Sequence, residues 1–324
     1  MDNGGFHILL TNDDGHFAPG ILTLRDTLKS RGYRVTMVAP SAEQSATGMG
    51  TTMERGIGLE QIDLDSWHLD ARPADTVLVA LRHLLEDDPP DMVVSGINFG
   101  PNLGMGLHAS GTVAAALVGL FHGLPAIAVS AGMSFDEARQ NPRKFPSTLK
   151  ALAPAAAFTC SVIESLRSVN GSGRPLLPKG VMLNINYPPL PPDRIRGVLY
   201  AEVSSGHMIQ LAYRRCEDTG QVLPFFVPGV NPAEPHREHG DVRAHLEGYI
   251  TISPVKPSWN PSEEEAGQVR ESLAPLLCRI DDLAAWSVRD RRALAAIVRA
   301  KGGRADLSDQ EVIDAVAYMV EQSQ

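Results

Sequence analysis

Four short runs in the first 135 residues, "HILLTN", "YRVTMVAP", "DMVVSGIN" and "PAIAVSAG", are apolar almost from end to end, and helix-patterned segments separate them. A strand with one face in water alternates apolar and polar residues; a strand covered on both faces has no reason to. Runs of the second kind, spaced by helices, predict a doubly wound, mostly parallel α/β sheet with helices on both sides. The intervening segments fit. "APGILTLRDTLKSRG" spaces Ile21, Leu22, Leu24 and Leu28 along one helical stripe, and "PADTVLVALRHLLE" carries Pro73 near its start, where a missing N–H costs little. "SGTVAAALVGLFHG" reads as a small-residue helix ended by Gly123, and "FPSTLKALAPAAAFTCSVIESLRSV" as a further helix.

The chain has 324 residues, enough for one large α/β domain with an appendage or for two small domains. Its formal net charge of -9 argues against a nucleic-acid duplex as partner, since phosphate backbones recruit basic faces. A small phosphorylated ligand stays compatible, because local positive charge or a metal suffices. Cys160, Cys216 and Cys278 are far apart and form no CxxC pair, so neither a disulfide framework nor a zinc site is expected. "MDNGGFHILL" lacks the basic segment of a secretory leader, and no stretch reads as long and apolar enough to span a bilayer. The expectation is a cytoplasmic protein with no membrane partner.

Parallel sheets of this kind bind ligands at the carboxyl ends of their strands. There the first strand runs into "TNDDG", with Asp13 and Asp14 side by side. One acid would serve as a helix cap. Two adjacent carboxylates repel unless a cation or proton offsets them, and hard cations take oxygen ligands. Cap and metal both remain open on this loop alone. Two further strand ends carry a Ser/Thr/Gly-rich loop, "VAPSAEQSATGMGTT", and "FGPNLGMGLHASGTVAAA", which offers Asn98, Asn102 and a helix start at Ser110, Gly111 and Thr112. A helix start with free N–H groups suits an anion. Together the three loops describe a metal beside a phosphate. His16 and His108 lie near these loops and are left out of the site. The pair His236 and His239 falls in a Pro- and Gly-rich stretch with no third ligand nearby, which favours a loop over a zinc site. "GPNLGMG" lacks the first-strand context of a dinucleotide fingerprint.

The set "NDDG-x-x-APG", "QS" after "VAP", "VVSGIN-x-GPNLG" and "SGTVAAA", in this order over about the first 135 residues, resembles the SurE family of stationary-phase survival proteins. "MLNINYP" at 182–188 and "GDVRAHLEGYITISPV" at 240–255 agree more loosely. The resemblance implies hydrolysis of nucleoside 5′-monophosphates, and 3′-monophosphates as well, by metal-activated water. It implies one divalent cation per subunit, Mg²⁺ or Mn²⁺, held by Asp13, Asp14, Ser45 and Asn98. Asp13, Asp14 and Asn98 are then the catalytic set, and Asn102, Ser110, Gly111 and Thr112 match the phosphate side. A small phosphomonoester is the implied partner, in a homodimer or homotetramer whose C-terminal hairpin exchanges between subunits. The chain departs from the family at Ala46, where Gly is usual, and at Arg72 and Ala109. Alanine would strain the loop if position 46 needs a positive φ. These changes at the rim keep a second reading in view, a phosphate- or nucleotide-binding module with reduced or lost turnover.

The expected division is an α/β phosphatase domain over 1–255, with an extended arm at about 204–240, and a helical extension over 256–324. Polar residues with scattered Pro and Gly suit the arm. In the extension, "SEEEAGQVRESLAPLL" has a Ser cap followed by acids and predicts an amphipathic helix. Two more helices are expected on either side of Gly302 and Gly303. The last resembles the closing helix of small c-type cytochromes, but CxxCH is absent and no haem is inferred.

Overall fold

A computed structural model of the chain describes residues 5–134, 136–137, 145–170, 175–228, 240–258 and 260–273. The chain divides into a unit over Met1–Pro257 and a second over Ser258–Gln324. In the first unit the strands are β1 (His7–Thr11), β2 (Arg34–Pro40), β3 (Leu59–Asp63), β4 (Ser66–Leu69), β5 (Met92–Phe99), β6 (Ala126–Ala131), β7 (Met182–Tyr187), β8 (Val198–Tyr200) and β11 (Ile250–Val255). They form one sheet in the order β3-β4-β2-β1-β5-β6-β7-β11-β8. The block from β4 through β7 is parallel throughout, β3 joins β4 antiparallel, and β11 pairs antiparallel with β7 and parallel with β8. This is the mostly parallel, doubly wound sheet that the unalternating strands imply.

The helices are α1 (Pro19–Ser30), α2 (Pro73–Val79, continued by a wider turn over Ala80–Leu84), α3 (Gly111–Phe121), α4 (Pro146–Asn170) and α5 (Asp241–Leu246). Period-two geometry divides the strand residues between two apolar layers. Ile8 and Leu10 of β1, Val94 of β5 and Val129 of β6 pack with Ile21, Leu24 and Leu28 of α1 and with Ala155 and Ile163 of α4. Leu9, Val93 and Ala128, one residue out of phase, pack with Val77 of α2 and Val113 and Ala116 of α3. Each fully buried Leu or Ile contributes about 1.5–3 kcal/mol, which explains why both parities of these strands are apolar.

Two features depart from the expectations drawn from sequence. By length and composition α4 does pass for a membrane-spanning helix over Pro146–Val169. Its apolar stripe, Ala151, Leu152, Ala155, Ala156, Cys160 and Ile163, is buried against the sheet and α1, the position of a core helix. The strands β3, β4 and β8 carry no clear pattern, because they lie at or beside the sheet edges; β3 is exposed along most of its length and carries charge.

Beyond β8 the chain leaves the main sheet. β9 (Ile209–Arg215) and β10 (Val222–Pro228) pair only with each other as an antiparallel hairpin. In the second unit α6 (Glu263–Leu273) opens with a reciprocal cap. The Ser262 N–H donates to Glu265 Oε2 at 2.8 Å, and the Glu265 N–H donates back to Ser262 Oγ at 3.3 Å. The two helices expected around Gly302 and the pair His236 and His239 lie outside the described residues.

The approach of α1 to β5 is the tightest contact beneath the ligand edge. A Cβ on Gly20 would run into the carbonyl oxygen of Ile97, a backbone atom that cannot rotate away. Gly20→Ala is expected to cost about 1–3 kcal/mol as an overpacked core site, read as a lower Tm in a thermal melt. An unchanged Tm would show that α1 does not lie this close to β5.

Candidate active site

The carboxyl ends of β1, β2 and β5 meet at the acid pair. Asp13 is buried and Asp14 partly so. Asp13 Oδ1 accepts a 2.5 Å hydrogen bond from Thr112 Oγ1 on the first turn of α3. Its own carbonyl accepts the Gln44 N–H at 2.7 Å, which lays the loop after β2 alongside the acid. Asp14 Oδ2 accepts the Phe99 N–H at 2.9 Å from the end of β5. Burial raises the Asp13 carboxyl above the usual carboxylate range, against the lowering pull of Thr112. Asp14 is pushed up to about 7, by burial first and by the neighbouring Asp13 charge second. Glu43, on the loop after β2, pushes both in the same direction, and sequence reading did not include it.

The remaining donors stand around this pair. Asn98 is buried, and its Nδ2 donates to the Gly100 carbonyl at 2.7 Å, which turns the amide oxygen free of that bond. Asn12 Nδ2 donates to Gly15 O at 2.8 Å, while its buried Oδ1 has no protein partner. Ser45 is exposed, one residue beyond the strapped Gln44, and its N–H donates to Glu43 Oε1 at 2.7 Å. Among the described residues its hydroxyl makes no hydrogen bond to either acid. Ala46 follows with φ 60°, the left-handed conformation in which alanine is strained.

The phosphate-side residues divide into two sets. Ser110 Oγ accepts the Val113 N–H at 3.1 Å as the cap of α3. Gly111 and Thr112 are fully on the helix and against the acid pair. A Cβ on Gly111 would lie 2.8 Å from Asp13 Cβ, 2.9 Å from Asp13 Oδ2 and 3.0 Å from Pro73 Cγ. The first demand for glycine there is therefore made by Asp13, before any anion arrives. Asn102 stands apart, held in a knot of amides. Its N–H donates to Asn186 Oδ1 at 2.8 Å and its Nδ2 to Ser130 Oγ at 2.9 Å. Its carbonyl accepts Nδ2 of Asn184 at 2.9 Å and of Asn186 at 3.0 Å. The two asparagines of "MLNINYP" thus fix this loop, a role that only their common strand face hints at in the sequence.

Arg72 ties the rim together. Its guanidinium neither lies free in solvent nor points at an anion; Nη1 donates to the Thr51 carbonyl at 2.8 Å. Buried Asp75 accepts N–H groups from Arg72 and Thr52, so the residues 50–52 loop is tied to the start of α2. The Ala109 carbonyl accepts the Gly48 N–H at 3.1 Å. His16 is buried, stacked on His68 with ring centroids 4.4 Å apart, and packs the loop without joining the site.

The family model described as "Survival protein SurE" matches residues 8–210. The chain belongs to the SurE family. It is 37% identical over 257 residues to the 5′-nucleotidase SurE of Thermosynechococcus vestitus, covering 76% of this chain and 89% of that protein. To the 5′-nucleotidase SurE of Desulfitobacterium hafniense it is 36% identical over 252 residues, covering 77% and 90%. The crystal structure of the SurE protein from Aquifex aeolicus superposes with a TM-score of 0.66 at 28% identity, covering 82% of this chain and 99% of that one. Within this SurE fold the acid pair, the amide of Asn98 and the α3 start are adjacent in space.

Three substitutions test the local geometry. Gly111→Ala is expected to displace the Asp13 carboxylate and weaken Mn²⁺ binding about 10–100-fold, the scale of lost ligand support, by isothermal titration. Thr112→Ser keeps the hydroxyl and should stay close to the parent. Ala46→Gly relieves a strained φ and is expected to raise stability by about 1 kcal/mol; a lower Tm would contradict the left-handed loop.

Proposed function

We propose that this chain is a metal-dependent phosphomonoesterase that hydrolyses nucleoside 5′-monophosphates, and 3′-monophosphates as well, to nucleoside and phosphate. One Mg²⁺ or Mn²⁺ per subunit is held by Asp13, Asp14 and Asn98, with Ser45 completing the protein shell. The observation that carries this reading is the pair of buried adjacent carboxylates. Both are raised by burial, and both are bound by uncharged donors rather than by a basic side chain. Two carboxylates in that setting ionise together only beside a cation. The donor set is carboxylate, amide and hydroxyl oxygen, which suits a hard divalent ion. The SurE nucleotidases named above are its relatives.

When bound, such a cation supplies Lewis-acid polarisation of a phosphoryl oxygen and a nucleophilic water at neutral pH. The chain's own residues do the rest. The start of α3 adjoins Asp13 through Thr112, and the positive end of the helix dipole favours the non-bridging oxygens there as their charge shifts. Thr112 fixes Asp13 in one rotamer through its 2.5 Å bond, and the Phe99 N–H does the same for Asp14. The amide knot around Asn102 holds the loop that joins β5 to α3. Loss of turnover is not favoured, because the rim changes at Ala46, Arg72 and Ala109 leave all of these bonds in place.

Homodimers, or a homotetramer built from them, complete the reading. The hairpin of β9 and β10 exposes Leu211, Tyr213, Val222, Leu223 and Phe225. Among the described residues no third strand pairs with these two, and a lone pair of strands is marginal in water, so a second copy is the natural cover.

Asp13→Asn and Asp14→Asn are each expected to reduce Mn²⁺-dependent hydrolysis of a nucleoside 5′-monophosphate by at least about 10²–10³-fold with a native circular-dichroism spectrum; near-parental activity in either would remove the metal reading. Size-exclusion chromatography with light scattering should give a dimer or larger at micromolar concentration. A fully active monomer would refute subunit exchange through the hairpin.

A further inference from the structure

The acid pair has two sides, and they differ in kind. Asp13 faces α3 through Thr112 and Gly111. Asp14 faces the opposite layer, where it forms the polar end of a cleft of about 550 Å³. The cleft's other walls are apolar: Phe99 at the end of β5, Pro19 on α1, and Phe145, Pro146 and Leu149 at the start of α4. Phe99 and Phe145 lie with ring centroids 5.4 Å apart at 54°, so they do not stack face to face on each other. Leu149 is 49% exposed on the wall opposite. An open apolar hollow of this kind loses free energy to water unless something flat and apolar fills it.

Resting on the phosphomonoesterase reading above, we propose that this cleft is the subsite for the nucleobase of the substrate, with Phe99 and Leu149 as its specificity-determining walls. The occupant follows from continuity. The carboxylate that lines the cleft is the one placed at the metal, so the cleft lies within reach of the rest of a molecule whose phosphate sits at the acid pair. The volume lies in the usual range for small-ligand sites, ~300–1,000 Å³, far more than a phosphate needs. The substrate thus lies across the acid pair, phosphate toward α3 and base toward α1 and α4. A base needs only a π-face and apolar neighbours to bind such walls.

The test compares a purine nucleoside 5′-monophosphate with glycerol phosphate, which has no ring. Two variants are used, Phe99→Leu, which keeps apolar volume and the backbone N–H on Asp14, and Leu149→Ala on the exposed wall. In each, the ratio of kcat/KM for the nucleotide to that for glycerol phosphate is expected to fall roughly tenfold, the scale of one lost base-stacking contact. The change should enter through KM, and the free purine nucleoside should lose its competitive inhibition. An unchanged ratio in both variants would overturn the proposal, as would a change of oligomeric state with kinetics intact, which would make the cleft a subunit contact. Failure of the catalytic reading gives a different result: Asp13→Asn would then still hydrolyse glycerol phosphate.

Discussion

Two carboxylates on adjacent residues, taken out of water together, set the terms for everything around them. Their mutual repulsion grows as the local dielectric falls; burial lifts both above the ordinary carboxylate range, and the Asp13 charge lifts Asp14 further. The protein answers with neutral donors, Thr112 on Asp13 and the Phe99 N–H on Asp14, which orient the oxygens without cancelling the charge. A salt bridge from lysine or arginine would relieve the repulsion and end the affinity for a cation. The pair is left without a basic partner in these hydrogen bonds, the setting on which the proposed metal site rests.

Holding such a pair in place needs more than its own loop. Asp13 is braced by a helix that starts about 100 positions later in the chain, and a glycine is required where that helix touches it. The segment between Asn98 and Ser110 has little regular structure, yet it is held at three points. Asn184 and Asn186 clamp the main chain of Asn102. Buried Asp241 accepts the N–H groups of Gly104 at 3.0 Å and of Ser204 at 2.9 Å. The Met105 N–H reaches the Gly206 carbonyl at 2.9 Å. The last two bonds join the phosphate-side loop to the base of the hairpin that begins at β9. The loop after β5 and the placement of the hairpin are therefore mechanically linked.

What the amino-acid sequence determined by itself is the part governed by local periodicity and by the chemistry of short motifs. Strands buried on both faces must be apolar at both parities, so β1, β2, β5 and β6 announce themselves, and the helices between them follow from their 3.6-residue stripes. The rule that ligands gather at the carboxyl ends of such strands then put Asp13, Asp14, Asn98 and the start of α3 on one edge. At position 46 the resemblance left the φ open, and the fold supplied it: Ala46 sits at φ 60°.

The tertiary structure decided whatever depends on partners distant in sequence. The edge strands β3 and β8 lack a clear apolar pattern because much of their side-chain surface meets water, and their pairing with β4 and β11 makes them strands. Arg72 is a departure from the family whose task becomes visible only with its Thr51 carbonyl partner. Gly111 looked reserved for an anion until Asp13 proved to occupy the space first. That α4 is long and apolar enough to pass for a membrane span, and is instead a core helix, was settled by the sheet and α1 that cover its stripe. Asn184, Asn186 and Asp241 carry no motif that names their task, because a buried amide or acid is defined by which backbone groups the fold brings to it. Periodicity is a property of neighbours along the chain; hydrogen-bond satisfaction in a core is a property of neighbours in space.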